Sequence, residues 1–284
     1  MAGLKTSAAL VCTKGCVRGN NEDNFFFQGD YLRPNEMDGG ARIIQEFDDT
    51  HQLFAICDGM GGEASGERAS FLAVELMAQS AGQIFGGSMA QALDRYARRA
   101  TELIWNDAQR HNTQGMGTTL AALAINGDSC CVSNVGDSRI YLLRASQLTI
   151  VSRDQTMVYS LYLNGTLTLE QARKHPQNNV ISQFLGMNPA QLPEVYTCAN
   201  EFRVCRGDRF MLCSDGVCDL LSQKAISTAL RKSATPIEAA ETVVLAALEM
   251  GGKDNTTCIV VDLLDPRLPN PPQGIGPNDD MTTQ

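Results

Sequence analysis

Residues 53–70 read LFAICDGMGGEASGERAS. An apolar run of strand length, Leu53 to Cys57, ends in one acid, Asp58, followed by glycines and then by a stretch of helical character. The placement recurs. LCSDGVCDLLS (212–222) again ends an apolar run in an acid, Asp215, with Gly216 behind it. VSNVGDSRIYLL (132–143) puts Asp137 in a tight turn between two apolar runs, and GGKDNTTCIVV (251–261) puts Asp254 just ahead of one. RGNNEDNFFF (18–27) puts Glu22 and Asp23 ahead of another. Each acid alone reads as an ordinary turn former. The set does not, because Asp58 and Asp215 end candidate central strands with no Lys or Arg beside them.

The periodicity around these acids predicts alternating groups of strands and helices. Ala8–Cys12, Asn24–Phe27 and Gln52–Cys57 read as strands. Ala69, Leu72, Ala73, Leu76, Met77 and Ile84 share one helical face; Met89, Leu93, Tyr96, Ala97, Ala100, Leu103 and Ile104 share another, with Ser88 as its N-cap. Residues 119–151 change to short apolar runs split by turn residues, the pattern of an antiparallel meander. A capping box from Thr168 to Gln171 predicts a short helix in the mixed segment 155–190. Then follow a strand at RFMLCS (209–214) and a helix at SQKAISTALRK (222–232). A second helix opens with Thr235, Pro236 and Glu238 and stops at Gly251-Gly252. TTCIVVDLL (256–264) is a last strand, and the Pro/Gly-rich residues 266–284 read as a flexible tail after one domain spanning 1–265. Strict strand–helix alternation is missing, which disfavours a doubly wound parallel sheet.

The chain has 284 residues, 43% of them hydrophobic, enough for one large core. Its net charge of −9 argues against a general nucleic-acid binder, which needs a basic face. MAGLKTSAALVC lacks the apolar core of a signal peptide, and no apolar run approaches the roughly 20 residues of a membrane span. The cytoplasm and reduced thiols are therefore expected. The ten cysteines include no C-x-x-C pair, and several (Cys57, Cys130, Cys131, Cys213, Cys258) sit inside apolar runs, where they read as small buried hydrophobes.

If the acids converge, two carboxylates about 4 Å apart repel by about 4 kcal/mol at an effective dielectric near 20. Such a cluster asks for protons or cations, and an all-oxygen donor set suits Mg²⁺ or Mn²⁺ rather than zinc. Gly59 leaves room for its carbonyl to approach an ion, and Arg18 supplies a bidentate phosphate clamp.

VRGNNED, AICDGMGGEASGERAS, MGTTLAALAI, SNVGDSRIYLLR, LCSDGVCDLLS and KDNTTCIVV together resemble, in order, the bacterial type 2C metal-dependent serine/threonine protein phosphatases. The resemblance covers about residues 8–263. It implies an α+β fold, a sandwich of two antiparallel sheets flanked by helix pairs, with a flap over about 155–190. It implies that Asp58 bridges two divalent cations (Mn²⁺ or Mg²⁺) and that Asp215 and Asp254 complete the first site. Glu22 and the Gly59 carbonyl approach the second, supported by Asp23, and Asp137 with Asp215 holds a weaker third ion. Arg18 binds the substrate phosphate, and Asn255 orients Asp254. The implied chemistry is direct attack of a metal-bridging water on phosphoserine or phosphothreonine. The implied partners are phosphorylated proteins and a serine/threonine kinase, and the chain is expected to act as a monomer. A different class, a regulatory phosphoprotein-binding module of the same fold, stands beside this reading.

Two positions depart from the family pattern: Glu63 stands where many relatives have His, and Gln155-Thr156 stands where they often have His-Ser. These changes bear on rate or specificity before metal binding. CTKGCVR also fits the C-x₅-R loop of cysteine phosphatases, with Cys12 and Arg18. That loop must run into a helix whose N-terminus lowers the thiol pKa, whereas GNNEDNFFF reads as turn and strand.

Overall fold

The structure is a computed structural model that describes residues 3–61, 65–168, 171, 175–177, 180–197 and 201–272. Its strands form two antiparallel sheets. The first runs β3 (Ala41–Asp49), β1 (Leu4–Thr13), β13 (Thr256–Leu263), β12 (Arg209–Cys213), β8 (Arg139–Arg144) and β9 (Gln147–Ile150). The second runs β10 (Tyr196–Thr197), β7 (Ser129–Val135), β6 (Leu120–Asn126), β4 (His51–Met60) and β2 (Asp23–Phe27). Two short strands, β11 (Phe202–Arg203) and β5 (Gly117–Thr118), pair with β7 and β4.

Helices cover the outer faces. α1 (Ser65–Ile84) lies on β4 and β2 and packs against α2 (Met89–His111). On the other side α6 (Pro236–Glu249) lies on β13 and β1, with α5 (Gln223–Lys232) and the one-turn α4 (Asp215–Cys218) beside it. This is the α+β sandwich expected. Strands covered on both faces read as continuous apolar runs, and the alternation inside them shows where each side chain goes. In β12, Phe210 and Leu212 enter the core between the sheets, while Met211 and Cys213 pack under the helices. Burying each such large side chain contributes about 1.5–3 kcal/mol.

Four details differ from the sequence reading. β3 was not foreseen: it is an edge strand whose residues are mostly exposed, and although Ala41, Ile43 and Phe47 face the core, Gln45 between them and the exposed Ile44 break the apolar alternation. Residues 119–151 are not one meander. β6–β7 and β8–β9 are hairpins in different sheets, and the chain crosses between the sheets at Gly136-Asp137-Ser138. A short helix not expected from the sequence, α3 (Met157–Leu163), capped by Thr156, starts the mixed segment 155–190. Leu268 is buried in the core, so the ordered chain continues past 265.

The caps follow the sequence closely. Ser88 accepts from the Gln91 N–H, and Ser222 from the Ala225 N–H. Thr235 accepts from the Glu238 N–H, but the Glu238 carboxylate reaches past the N-cap to the Ala234 N–H (2.8 Å) instead of closing the box on Thr235. Thr168 and Gln171 exchange both capping-box hydrogen bonds, at 2.8 and 3.2 Å. The body of that helix, and residues 273–284 of the expected tail, lie outside the described residues.

Asp265 staples the ends of the domain together. It accepts from the Lys5 N–H (3.1 Å), the Arg267 N–H (2.9 Å) and the Arg267 guanidinium. The guanidinium and then the two backbone donors hold its carboxyl below the usual range. A folded-state pKa below the unfolded one stabilises above the unfolded value and is lost as pH falls through the folded one. Asp265→Asn is therefore expected to lower the midpoint of denaturant unfolding at pH 7. The difference from the parent should shrink as pH drops below about 4.

Candidate functional site

The antiparallel topology gathers the acids at one end of the sandwich. Asp58 is near the end of β4, and Asp23, at the start of β2, is its register partner across the ladder. β12 and β13 pair with Cys213 opposite Cys258, so Asp215 leaves one strand where Asp254 enters the next. Asp137 sits at the crossover between the sheets, and Glu22 immediately precedes β2.

The backbone around Asp58 is fixed from three sides. Its N–H donates to Thr119 Oγ1 (3.0 Å), and its carbonyl accepts from the Thr119 N–H (2.8 Å) and Thr118 Oγ1 (2.9 Å). Thr119 Oγ1 in turn lies 2.8 Å from Ser138 Oγ, beside Asp137. The glycines after the acids are sterically required. A Cβ on Gly59 would lie 2.2 Å from the Gly66 carbonyl oxygen and 2.6 Å from that of Glu22. One on Gly66 would lie 2.8 Å from the Glu22 Oε2 and equally close to the Gly59 carbonyl carbon. One on Gly216 would lie 2.0 Å from the Asn255 carbonyl oxygen. Bare backbone lets the acid-bearing loops close on one another, so that the Gly59 carbonyl carbon and the Glu22 carboxylate both crowd the Cβ position of Gly66.

The electrostatics are those of crowded carboxylates. Asp58 and Asp215 are pushed well above the usual carboxylate range, by burial first and then by the surrounding acids. For Asp58 those are Asp23, Asp215, Asp137 and Asp254. Burial, then Asp154 and Asp219, push Asp137 up to about 7. Asp23 is fully buried and pushed up to about 6, by burial above all, even though Ser214 Oγ (2.8 Å) and Thr257 Oγ1 (2.6 Å) both donate to its Oδ2. Its Oδ1 is buried without a hydrogen-bond donor. An orphaned, buried carboxylate oxygen is costly unless a proton or a cation reaches it.

Arg18 is half-exposed and donates to Asp254 Oδ2 (2.6 Å). Asn255 does hold Asp254, and through its backbone. Its backbone N–H, not its side chain, holds Asp254 Oδ1 (2.9 Å). The side chain accepts from the Glu22 N–H (2.8 Å) and donates to the Lys14 and Asn20 carbonyls (3.1 and 2.9 Å), so it shapes the turn that carries Arg18 and Glu22. Glu63 lies outside the described residues. Cys12 is buried within β1, and burial, then Asp23, push its thiol up to about 12, the opposite of an activated nucleophile. Among the described cysteines only Cys16 is exposed.

Among the described residues no three His, Cys, Asp or Glu side chains are drawn in around a single point as ligands. The donors nevertheless fit hard divalent cations: they are all oxygen, they are mutually repulsive, and they include the orphaned Asp23 Oδ1. The sequence reading missed the hydroxyls that hold the acids, Thr118, Thr119, Ser138, Ser214 and Thr257. The available signal was a hydroxyl residue next to an acid or inside an otherwise apolar strand.

The protein phosphatase 2C family model matches residues 42–249. The serine/threonine protein phosphatase PstP of Mycobacterium tuberculosis is 34% identical over 253 residues, covering 89% of this chain and 44% of the relative. The chain thus spans less than half the length of that relative. The serine/threonine phosphatase stp of Listeria monocytogenes is 29% identical, covering 88% of this chain and 92% of the relative. A crystal structure of the PstP catalytic domain in complex with two manganese ions is similar at a TM-score of 0.72 and 32% identity, over 92% of this chain and 100% of that one.

Thr257→Val deletes the shorter of the two donors to Asp23 inside the core. It is expected to cost about 1–3 kcal/mol in denaturant unfolding without metal, the penalty for a buried acceptor left short of a partner.

Proposed function

The chain belongs to the protein phosphatase 2C family, and from that premise we propose that it is a metal-dependent serine/threonine protein phosphatase. The observation that carries this reading is the convergence of Asp58, Asp23, Asp215, Asp254 and Asp137 at one sheet end, with a buried carboxylate oxygen left unsatisfied. Asp58, Asp215 and Asp254 would hold one divalent cation; Asp58, Glu22 and the Gly59 carbonyl would hold the second, and Asp137 with Asp215 a weaker third. Bound divalent cations supply a water acidic enough to attack phosphorus at neutral pH, together with positive charge for the phosphoryl oxygens.

The chain's own groups do the remaining work. Arg18 exchanges its pairing with Asp254 for the substrate phosphate, whose oxygens match the guanidinium fork. Asn255 fixes the turn that aims Arg18 and Glu22. Thr118 and Thr119 fix Asp58, and Ser214 and Thr257 fix Asp23, so the acids are held in place before substrate arrives. Hydrolysis is direct, so no covalent phosphoenzyme forms and Cys12 takes no part. The substrates are phosphoproteins made by a serine/threonine kinase, and the setting is the cytoplasm.

Phosphate release from a phosphothreonine peptide is expected with Mn²⁺ and abolished by EDTA. Asp215→Asn should lower it by about 100-fold or more and weaken Mn²⁺ binding while leaving the circular dichroism unchanged. Near-normal turnover in that variant sinks the metal reading. A chain that binds Mn²⁺ and releases no phosphate would be the regulatory module instead. Cys12→Ser is expected to keep close to parental turnover, whereas complete loss with an intact fold would bring back a cysteine route.

A further inference from the structure

Gln155 is one of the two departures from the family pattern, and it is buried at the root of the segment that leads through α3. Three other stretches of chain meet on it. Its Oε1 accepts from the Gly136 N–H (2.8 Å) and its Nε2 donates to the Glu194 carbonyl (2.6 Å). Its backbone N–H donates to the Gly136 carbonyl (3.0 Å), and its own carbonyl accepts from the Ser182 N–H (2.8 Å) and Oγ (2.9 Å). One residue therefore ties the start, the middle and the far end of the segment 155–194 to the turn that carries Asp137.

Gly136 cannot take up slack. Its φ is +97°, and a Cβ there would lie 2.8 Å from Thr119 Cγ2. Thr119 holds the backbone of Asp58. On the other side, Leu185 exchanges backbone hydrogen bonds with Thr118 (2.9 and 3.0 Å), and a Cβ on Gly117 would lie 2.4 Å from the Phe184 ring. The segment thus runs alongside the residues that fix Asp58. Among its described residues it also exposes the large apolar side chains Met157, Leu163, Val180 and Leu192.

From this geometry we infer that Gln155 is a positioning residue whose side-chain amide sets the 156–194 segment against the Asp137 turn, so that the segment selects substrates by the residues flanking the phosphoserine or phosphothreonine. The inference rests on the phosphatase reading for its substrate. The amide is the functional element because it donates and accepts at once. A carboxylate at this place accepts from Gly136 but offers nothing to the Glu194 carbonyl, and leucine does neither. A neutral imidazole again has one donor and one acceptor nitrogen.

The test compares Gln155→Glu, Gln155→Leu and Gln155→His with the parent. Hydrogen exchange is read on the metal-free chain at Gly136 and across 156–194. Steady-state kinetics are read with Mn²⁺ on a phosphothreonine peptide and on p-nitrophenyl phosphate, which has no flanking residues. In the Leu variant, exchange at Gly136 and in the segment is expected to rise about tenfold, the worth of roughly one hydrogen bond; in the Glu variant, which keeps the acceptor for Gly136, the rise is expected in the segment alone. KM for the peptide should rise similarly, with kcat on p-nitrophenyl phosphate close to parental. Gln155→His should restore both. Unaltered exchange in β6 marks a folded variant; should Gln155→Leu fail to fold, Gln155→Asn, which keeps the amide but shortens its reach, carries the same expectation. Unchanged exchange at Gly136 in Gln155→Leu overturns the anchoring whether or not the chain is a phosphatase. Equal losses on both substrates overturn the selectivity. Inactivity of the parent on both substrates overturns the phosphatase reading instead.

Discussion

Everything at the active end of this molecule follows from the repulsion among its carboxylates. Asp58, Asp23, Asp215, Asp254 and Asp137 come from separate strand ends, yet the two sheets bring them together. Left to themselves, loops bearing like charge would splay. They are held by neutral groups instead: the Thr118 and Thr119 hydroxyls, Ser214 and Thr257 on Asp23, and glycine backbones that let Gly59 and Gly216 close on their neighbours. A framework that restrains acids with hydroxyls keeps their oxygens available, whereas one built on Lys or Arg would neutralise them. Arg18 is the exception; it pairs with Asp254 from a half-exposed position it can leave.

That economy explains what the sequence discloses. The helices and central strands are legible because burial on one or both faces imposes a period: α2 and α6 show their caps and apolar stripes, and β12 and β13 their continuous runs. The acids are legible because a charge at the end of an apolar run is costly and needs a reason. β3 is hidden because only Ala41, Ile43 and Phe47 of this edge strand face the core, with Gln45 and the exposed Ile44 blurring their period. The crossover at Gly136–Ser138 is hidden because a turn within a sheet and a turn between sheets use the same residues. The second role of Asn255 is hidden because adjacency in sequence discloses only its hold on Asp254, while the side chain reaches across to the Glu22 turn 233 residues away.

The sandwich also separates stability from chemistry. The core between the sheets and the cluster under α5 and α6 are packed from apolar side chains. The acids and their hydroxyl partners occupy the strand ends, where backbone direction changes and loops can vary in length. Family members can therefore differ at positions such as Gln155 while the sheets and the acids stay in register.

The crossover at Asp137 has a mechanical consequence. It is a three-residue link from β7 of one sheet to β8 of the other. The chain also passes between the sheets through Thr50 alone, from β3 to β4 at the opposite end of β4 from Asp58, and Ser214 and Thr257 of one sheet reach across to Asp23 of the other. The sheets are thus tied at both ends, so a load on the helix layers is shared among several covalent and hydrogen-bonded ties, and the acids are shielded from sliding of one sheet over the other.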